Sequence, residues 1–137
     1  MKKRVGLLVA VEIEAVLEQM GGLIATEKAW GFTVYTYAFG GAELLVIHAG
    51  CGEIAAAAAT QLLISHYGVE LVVNFGVVGG LTQEMGLLRC CVVERVVHYD
   101  MDTSPVDHWE VGRYGDYPTV YIPTTKHLVE KAMALAP

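Results

Sequence analysis

Two kinds of hydrophobic pattern alternate along the chain. Val5-Gly6-Leu7-Leu8-Val9-Ala10-Val11 is an unbroken apolar run, the pattern of a strand buried on both faces. Glu12 to Met20 predicts a helix with acids in its first turn and Gly21-Gly22 as its stop. Leu23 to Lys28, Phe32 to Phe39 and Glu43 to Ile47 read as three strands, with Gly31 and Gly40-Gly41 as the turns between them. Trp30, Phe32, Val34, Tyr35 and Tyr37 suit a pleated surface. Ala49-Gly50-Cys51-Gly52 is a turn of small residues leading into a helix over Glu53 to Tyr67, whose five consecutive alanines permit close packing on a sheet. Gly68 ends it. Val69 to Phe75 and Cys90 to Val97 are two more apolar runs, read as buried strands.

His98 to Pro118 breaks the pattern. It is rich in Asp, His, Trp, Tyr, Gly and Pro, and roughly twenty residues without periodicity mark a functional or mobile loop. Thr119 to Ile122 then reads as a short strand, and Pro123-Thr124-Thr125 caps a helix from Lys126 towards the C-terminus. The order β-α-β-β-β-α-β-β-loop-α indicates an α/β layered fold on a mixed sheet. The three-strand meander argues against a plain dinucleotide-binding unit.

Composition narrows the function classes. The 137 residues match one domain, 1–137, and 54% are hydrophobic while 18% are charged, enough for a core and too little charge for a disordered chain. A net charge of −6 disfavours nucleic acid or an anionic membrane as partner and favours small molecules or proteins. Met1-Lys2-Lys3-Arg4 and the apolar run after it do not make a signal peptide, because Glu12 and Glu14 interrupt at once. No apolar stretch reaches transmembrane length. Cys51, Cys90 and Cys91 fit no zinc spacing and read as reduced thiols of a cytoplasmic protein.

Three segments put small or polar residues directly after apolar strands, the edge at which open α/β sheets bind ligands: Ala10 to Glu14, Ala49 to Glu53 and Asn74 to Gly80. Glu12 and Glu14 are accounted for as first-turn acids; the functional alternative makes one of them a general base on a pocket floor. Gly50 and Gly52 suit either a tight strand-to-helix turn or an anion site, and Glu53 would repel phosphate there. Gly76, Gly79 and Gly80 suggest a backbone-lined pocket wall. His98, Asp100, Asp102, Asp107 and His108 read as a polar loop rather than a metal site, and Asn74, Cys90 and Cys91 as structural.

Together these segments resemble the methylthioadenosine/adenosylhomocysteine nucleosidases of the nucleoside phosphorylase superfamily. The likeness lies in Val9-Ala10-Val11-Glu12-Ile13-Glu14, His48 to Ala57, Asn74-Phe75-Gly76-Val77-Val78-Gly79-Gly80-Leu81 and Val96 to Ser104, in register. It implies an α/β/α sandwich around a twisted mixed sheet, and hydrolysis of the N-glycosidic bond of 5'-thio-substituted adenosines with no metal and no organic cofactor. It further implies that Glu14 activates the attacking water and that Ala10 and Val11 lie along the pocket. Cys51 would sit near the ribose, and Val77, Val78 and Gly79 along sugar and purine. Asp102, Thr103 and Val106 would close the 5'-substituent pocket of a neighbouring subunit in a homodimer or larger homo-oligomer. Two departures stand out. Val77 replaces the family's usual Ser, and Gly86-Leu87 replaces its frequent Gly-Asp. The resemblance covers the N-terminal portion of such a domain. The family's remainder carries a Met-Glu ribose clamp, a Ser-Asp pair that protonates the purine, and an Arg, and no such motif occurs before Pro137. The expectation is therefore a nucleosidase that is incomplete as a single chain. A phosphate-dependent phosphorylase and a non-catalytic binding or assembly module remain open, and an exposed half-domain face would be covered by oligomerisation or exchange of elements.

Overall fold

The computed structural model describes residues 2–87, 90–115 and 117–135; Met1 of the basic start, Asp116 of the long loop and the last two residues lie outside them. The chain forms two units, residues 1–79 and 80–137.

The first unit is a five-stranded mixed sheet in the order β2-β3-β4-β1-β5. Its strands are β1 (Arg4–Val9), β2 (Leu23–Ala29), β3 (Phe32–Phe39), β4 (Ala42–His48) and β5 (Leu71–Phe75), with α1 (Ile13–Gln19) and α2 (Glu53–Ser65) as crossovers. β1 runs parallel to both β4 and β5, while β2, β3 and β4 form the antiparallel meander. The apolar runs work because side chains alternate across a pleat. Leu8, Leu45 and Ile47 face α2 and pack with Val34, Ala59, Leu62, Leu63 and Tyr67. Val9, Val46 and Tyr37 face the other way and pack with Ile13 and Val16 of α1. One helix on each face of the sheet makes the expected α/β/α sandwich. Gly6 brings α2 close: a Cβ there would lie 2.9 Å from Cδ1 of the fully buried Leu63.

Local chemistry corrects several expectations. Trp30 is not on the pleated surface. It forms the β2–β3 turn with Gly31, both at positive φ, the geometry that matches hairpin twist. A bulky residue there is strained, and its exposed ring rests edge-on against His66, centroids 4.7 Å apart. Only Ala59 of the five alanines is buried; Leu62 and Leu63 do most of the packing. β5 is not buried on both faces: it is the sheet's edge, and Val73 and Phe75 are exposed.

The second unit holds β6 (Arg95–Val96), β7 (Ile122–Pro123), α3 (Ser104–Asp107) and α4 (Lys126–Met133). The expected strand from Cys90 to Val97 shrinks to two residues. Its partner β7 is as short and contains Pro123, which has no N–H for a ladder, and Val92, Val93, Val96 and Val97 are exposed. The long loop is punctuated by α3. Thr125 takes the N-cap position of α4 without a side-chain bond. Thr124 instead sets its hydroxyl against the carbonyls of Val93 and Glu94, at 2.7 and 2.9 Å.

Candidate active site at the strand ends

β4, β1 and β5 are adjacent and parallel, so their C-terminal ends open on one edge. The three turns singled out from the sequence meet there. The Ala49 amide donates to the Val9 carbonyl at 2.8 Å and the Gly50 amide to the Ala10 carbonyl at 3.1 Å, joining the end of β4 to the end of β1. Gly52, with φ 99° and ψ 155°, starts α2 in a backbone region essentially closed to side-chain-bearing residues. Cys51, between these glycines, is exposed.

On the other side of β1, a carboxylate makes the junction. Glu12 occupies the N-cap position of α1 but makes no cap bond there. Its Oε1 accepts the Val77 amide at 3.0 Å and its Oε2 the Val11 amide at 3.3 Å. The Val77 amide and then Glu12's own amide hold this carboxyl below the usual carboxylate range; desolvation pushes the other way, and the Val11 amide adds the smallest lowering. The carboxylate lies close over Gly76, where a Cβ would be 3.1 Å from Glu12 Oε2 and would displace it by a few tenths of an ångström. The first-turn-acid reading of Glu12 is thus incomplete. No sequence spacing signals a bond between residues 65 positions apart.

Of the expected site residues, Ala10, Val11, Cys51, Val77, Val78 and Gly79 all lie on these three turns. Val11, Val77 and Val78 are exposed, leaving an apolar, backbone-rich surface. Glu14 is exposed in the first turn of α1, immediately after the β1 turn. The turns, residues 10–14, 49–53 and 76–79, contain Glu12, Glu14 and Glu53 and no Lys, Arg or His. A carbonyl- and carboxylate-rich edge of this kind can activate water and stabilise developing positive charge, and it disfavours phosphate.

Asp102, Thr103 and Val106 belong to the second unit, around α3. Asp102 accepts the Ser104 amide at 2.9 Å, and Asp107 accepts the Trp109 amide at 2.9 Å. Ser104, through hydroxyl and amide, lowers the Asp102 carboxyl; the Thr103 hydroxyl and then the Trp109 amide lower Asp107. These carboxylates hold the local turn. His98 lies 3.4 Å from Asp100, and among the described residues no group of three His, Cys, Asp or Glu side chains could hold a metal ion. Nor, among them, is any helix long and apolar enough to cross a membrane. A separate open groove of about 490 Å³ lies between Trp30, Phe32 and α2; it contains no carboxylate.

Known proteins resemble this chain in sequence and fold. The family model described as the phosphorylase superfamily matches residues 4–136. The 5'-methylthioadenosine/S-adenosylhomocysteine nucleosidase of Shewanella halifaxensis is 27% identical over 135 residues, 97% of this chain and 58% of its own length. That of Shewanella putrefaciens is 34% identical over 92 residues, 67% of this chain and 39% of its own. Among solved structures, the futalosine hydrolase of Helicobacter pylori superposes with a TM-score of 0.88 at 25% identity, over 96% of this chain and 57% of that one. A mutant nucleosidase from the same organism, with 5'-methylthioadenosine in its active site, gives 0.89 at 25% identity, over 98% and 58%. The chain therefore spans less than two thirds of the length of the relatives it matches. By the family match, which runs through both units, and by the shared fold, it belongs to the phosphorylase superfamily.

Proposed function

We propose that this chain supplies part of the site of a hydrolase that cleaves the N-glycosidic bond of 5'-thio-substituted adenosines. The observation that carries the reading is the meeting of residues 10–14, 49–53 and 76–79 on one sheet edge, in a chain whose relatives are nucleosidases. Glu14 acts as the general base on water. The oxocarbenium-like transition state of glycoside cleavage favours negative charge beside the anomeric carbon. Ala10 and Val11 line the pocket, Cys51 borders the ribose, and Val77, Val78 and Gly79 run along sugar and purine. Val77 places an apolar side chain where a hydroxyl would otherwise stand, so water must be oriented by other groups.

Hydrolysis is preferred to phosphorolysis because the three turns carry three carboxylates and no cation to receive phosphate. The working form is a cytoplasmic homo-oligomer, in which Asp102, Thr103 and Val106 serve a neighbouring copy. The exposed Val73 and Phe75 on edge strand β5 support a need for cover.

Adenine release from 5'-methylthioadenosine, with and without phosphate, tests this. Release independent of phosphate is expected wherever the site is complete. Release only with phosphate would favour the phosphorylase alternative. No release and no binding by the folded chain would leave the binding or assembly module.

A further inference from the structure

The family resemblance implies Glu14 as the chemically active acid, and the structure gives its neighbour Glu12 a separate task. Glu12 bridges two parallel strands at their ends: one carboxylate oxygen takes the amide of Val77, after β5, and the other the amide of Val11, after β1. A carboxylate accepting backbone amides makes charge-assisted bonds, stronger and more directional than neutral ones. Gly76 supplies an independent observation. The atom nearest to a Cβ at that position is Glu12 Oε2, at 3.1 Å, so a side chain there would press on the carboxylate. The turn after β5 is thus shaped to admit this acid. Among the described residues Val77 and Val78 are exposed and β5 is an edge strand, so packing contributes little to holding the turn.

We propose that Glu12 is a positioning residue of the nucleoside site: seated over Gly76, its carboxylate fixes the backbone of Val77 to Gly79 against the end of β1, so that this wall of the pocket is formed before the ligand arrives. The inference rests on the nucleoside reading above and adds a role for a second acid. Holding a wall in place beforehand removes the ordering cost from binding. It also commits the Val77 amide to Glu12, so ligand contacts along this turn fall to other groups.

Amide hydrogen exchange and 5'-methylthioadenosine binding, measured on the unaltered chain, Glu12→Ala, Glu12→Gln and Gly76→Ala, test it. Exchange at Val9 and Val46, in the sheet core, reports whether each variant is folded. Glu12→Ala should speed Val77 exchange about tenfold and weaken binding about tenfold. Glu12→Gln keeps one acceptor and should fall between it and the unaltered chain. Gly76→Ala, which displaces the carboxylate by a few tenths of an ångström, should speed Val77 exchange in the same direction but by less than Glu12→Ala. Unchanged Val77 exchange in Glu12→Ala would overturn the anchor. Faster exchange with unchanged binding would reduce Glu12 to a structural stitch. An unaltered chain that does not bind methylthioadenosine would sink the nucleoside reading and the pocket role, while the exchange rates would still decide whether Glu12 holds the turn.

Discussion

At the N-terminal end of the parallel strands, Arg4 gathers three elements. Its Nε donates to Glu43 of β4 at 3.0 Å and its Nη1 to the Tyr67 carbonyl, just past α2, at 2.9 Å. Its own carbonyl accepts the amide of Glu70, ahead of β5. At the C-terminal end, the strands lead into glycine turns, exposed valines and carboxylates, and Glu12 reaches across to the Val77 amide. The first end joins charge to charge with long side chains. The second carries glycine turns, exposed valines and the acids Glu12, Glu14 and Glu53. One end is suited to holding strands together and the other to meeting a small molecule.

Removing Glu14 should show the difference most strongly. Where the proposed site is complete, Glu14→Gln should lower nucleoside cleavage by about 100-fold or more, the usual worth of a positioned general base. Its folding stability should stay within about 0.5 kcal/mol, as for other exposed sites. Steady-state assays and urea melts measure the two; a large stability loss would mean that Glu14 belongs to the scaffold.

Leu63→Ala should do the reverse. Leu63 is fully buried and packs over Gly6, so the cavity should cost about 2–5 kcal/mol in urea denaturation. A loss under about 1 kcal/mol would show that α2 settles into the space.

Tyr67 adds a pH test. Burial, and then its hydroxyl bond to Glu27 Oε1 at 2.6 Å, push its phenol up to about 12. An unfolded phenol titrates near 10. The raised value means that the fold favours the protonated ring. This contribution is complete below about pH 10 and is lost as pH rises through about 12. Urea midpoints of the unaltered chain should drop across that window, and those of Tyr67→Phe should lack this component.

The smallest effect is expected at Arg4. Arg4→Met removes a half-exposed ion pair and the bond to the Tyr67 carbonyl and should cost about 1–2 kcal/mol, without altering nucleoside binding.

Much of this contrast was legible in the sequence. Gly50, Gly52 and the Gly76–Gly79 stretch, each directly after an apolar run, marked turns that the fold brings to one sheet edge, and strand and helix order gave the layers. The rest depended on partners that local pattern does not reveal. Val69 to Phe75 has the composition of a doubly buried strand, yet sheet order makes β5 an edge. Cys90 to Val97 is as apolar, but a ladder needs a partner, and β7 offers two residues, one of them a proline. Glu12 and Glu14 look equivalent at a helix start. Only the fold of β5 beside β1 turns one of them across to Val77.

The contrast between the two ends is tested most directly by an NMR titration of the chain with 5'-methylthioadenosine. The amides of Ala10, Val11, Cys51, Val77, Val78 and Gly79 should shift together in one saturable process, while those of Arg4, Glu43 and Tyr67 stay still. Shifts confined to the Arg4 end or to the groove beside Trp30, or none at all, would contradict a nucleoside site at the C-terminal edge.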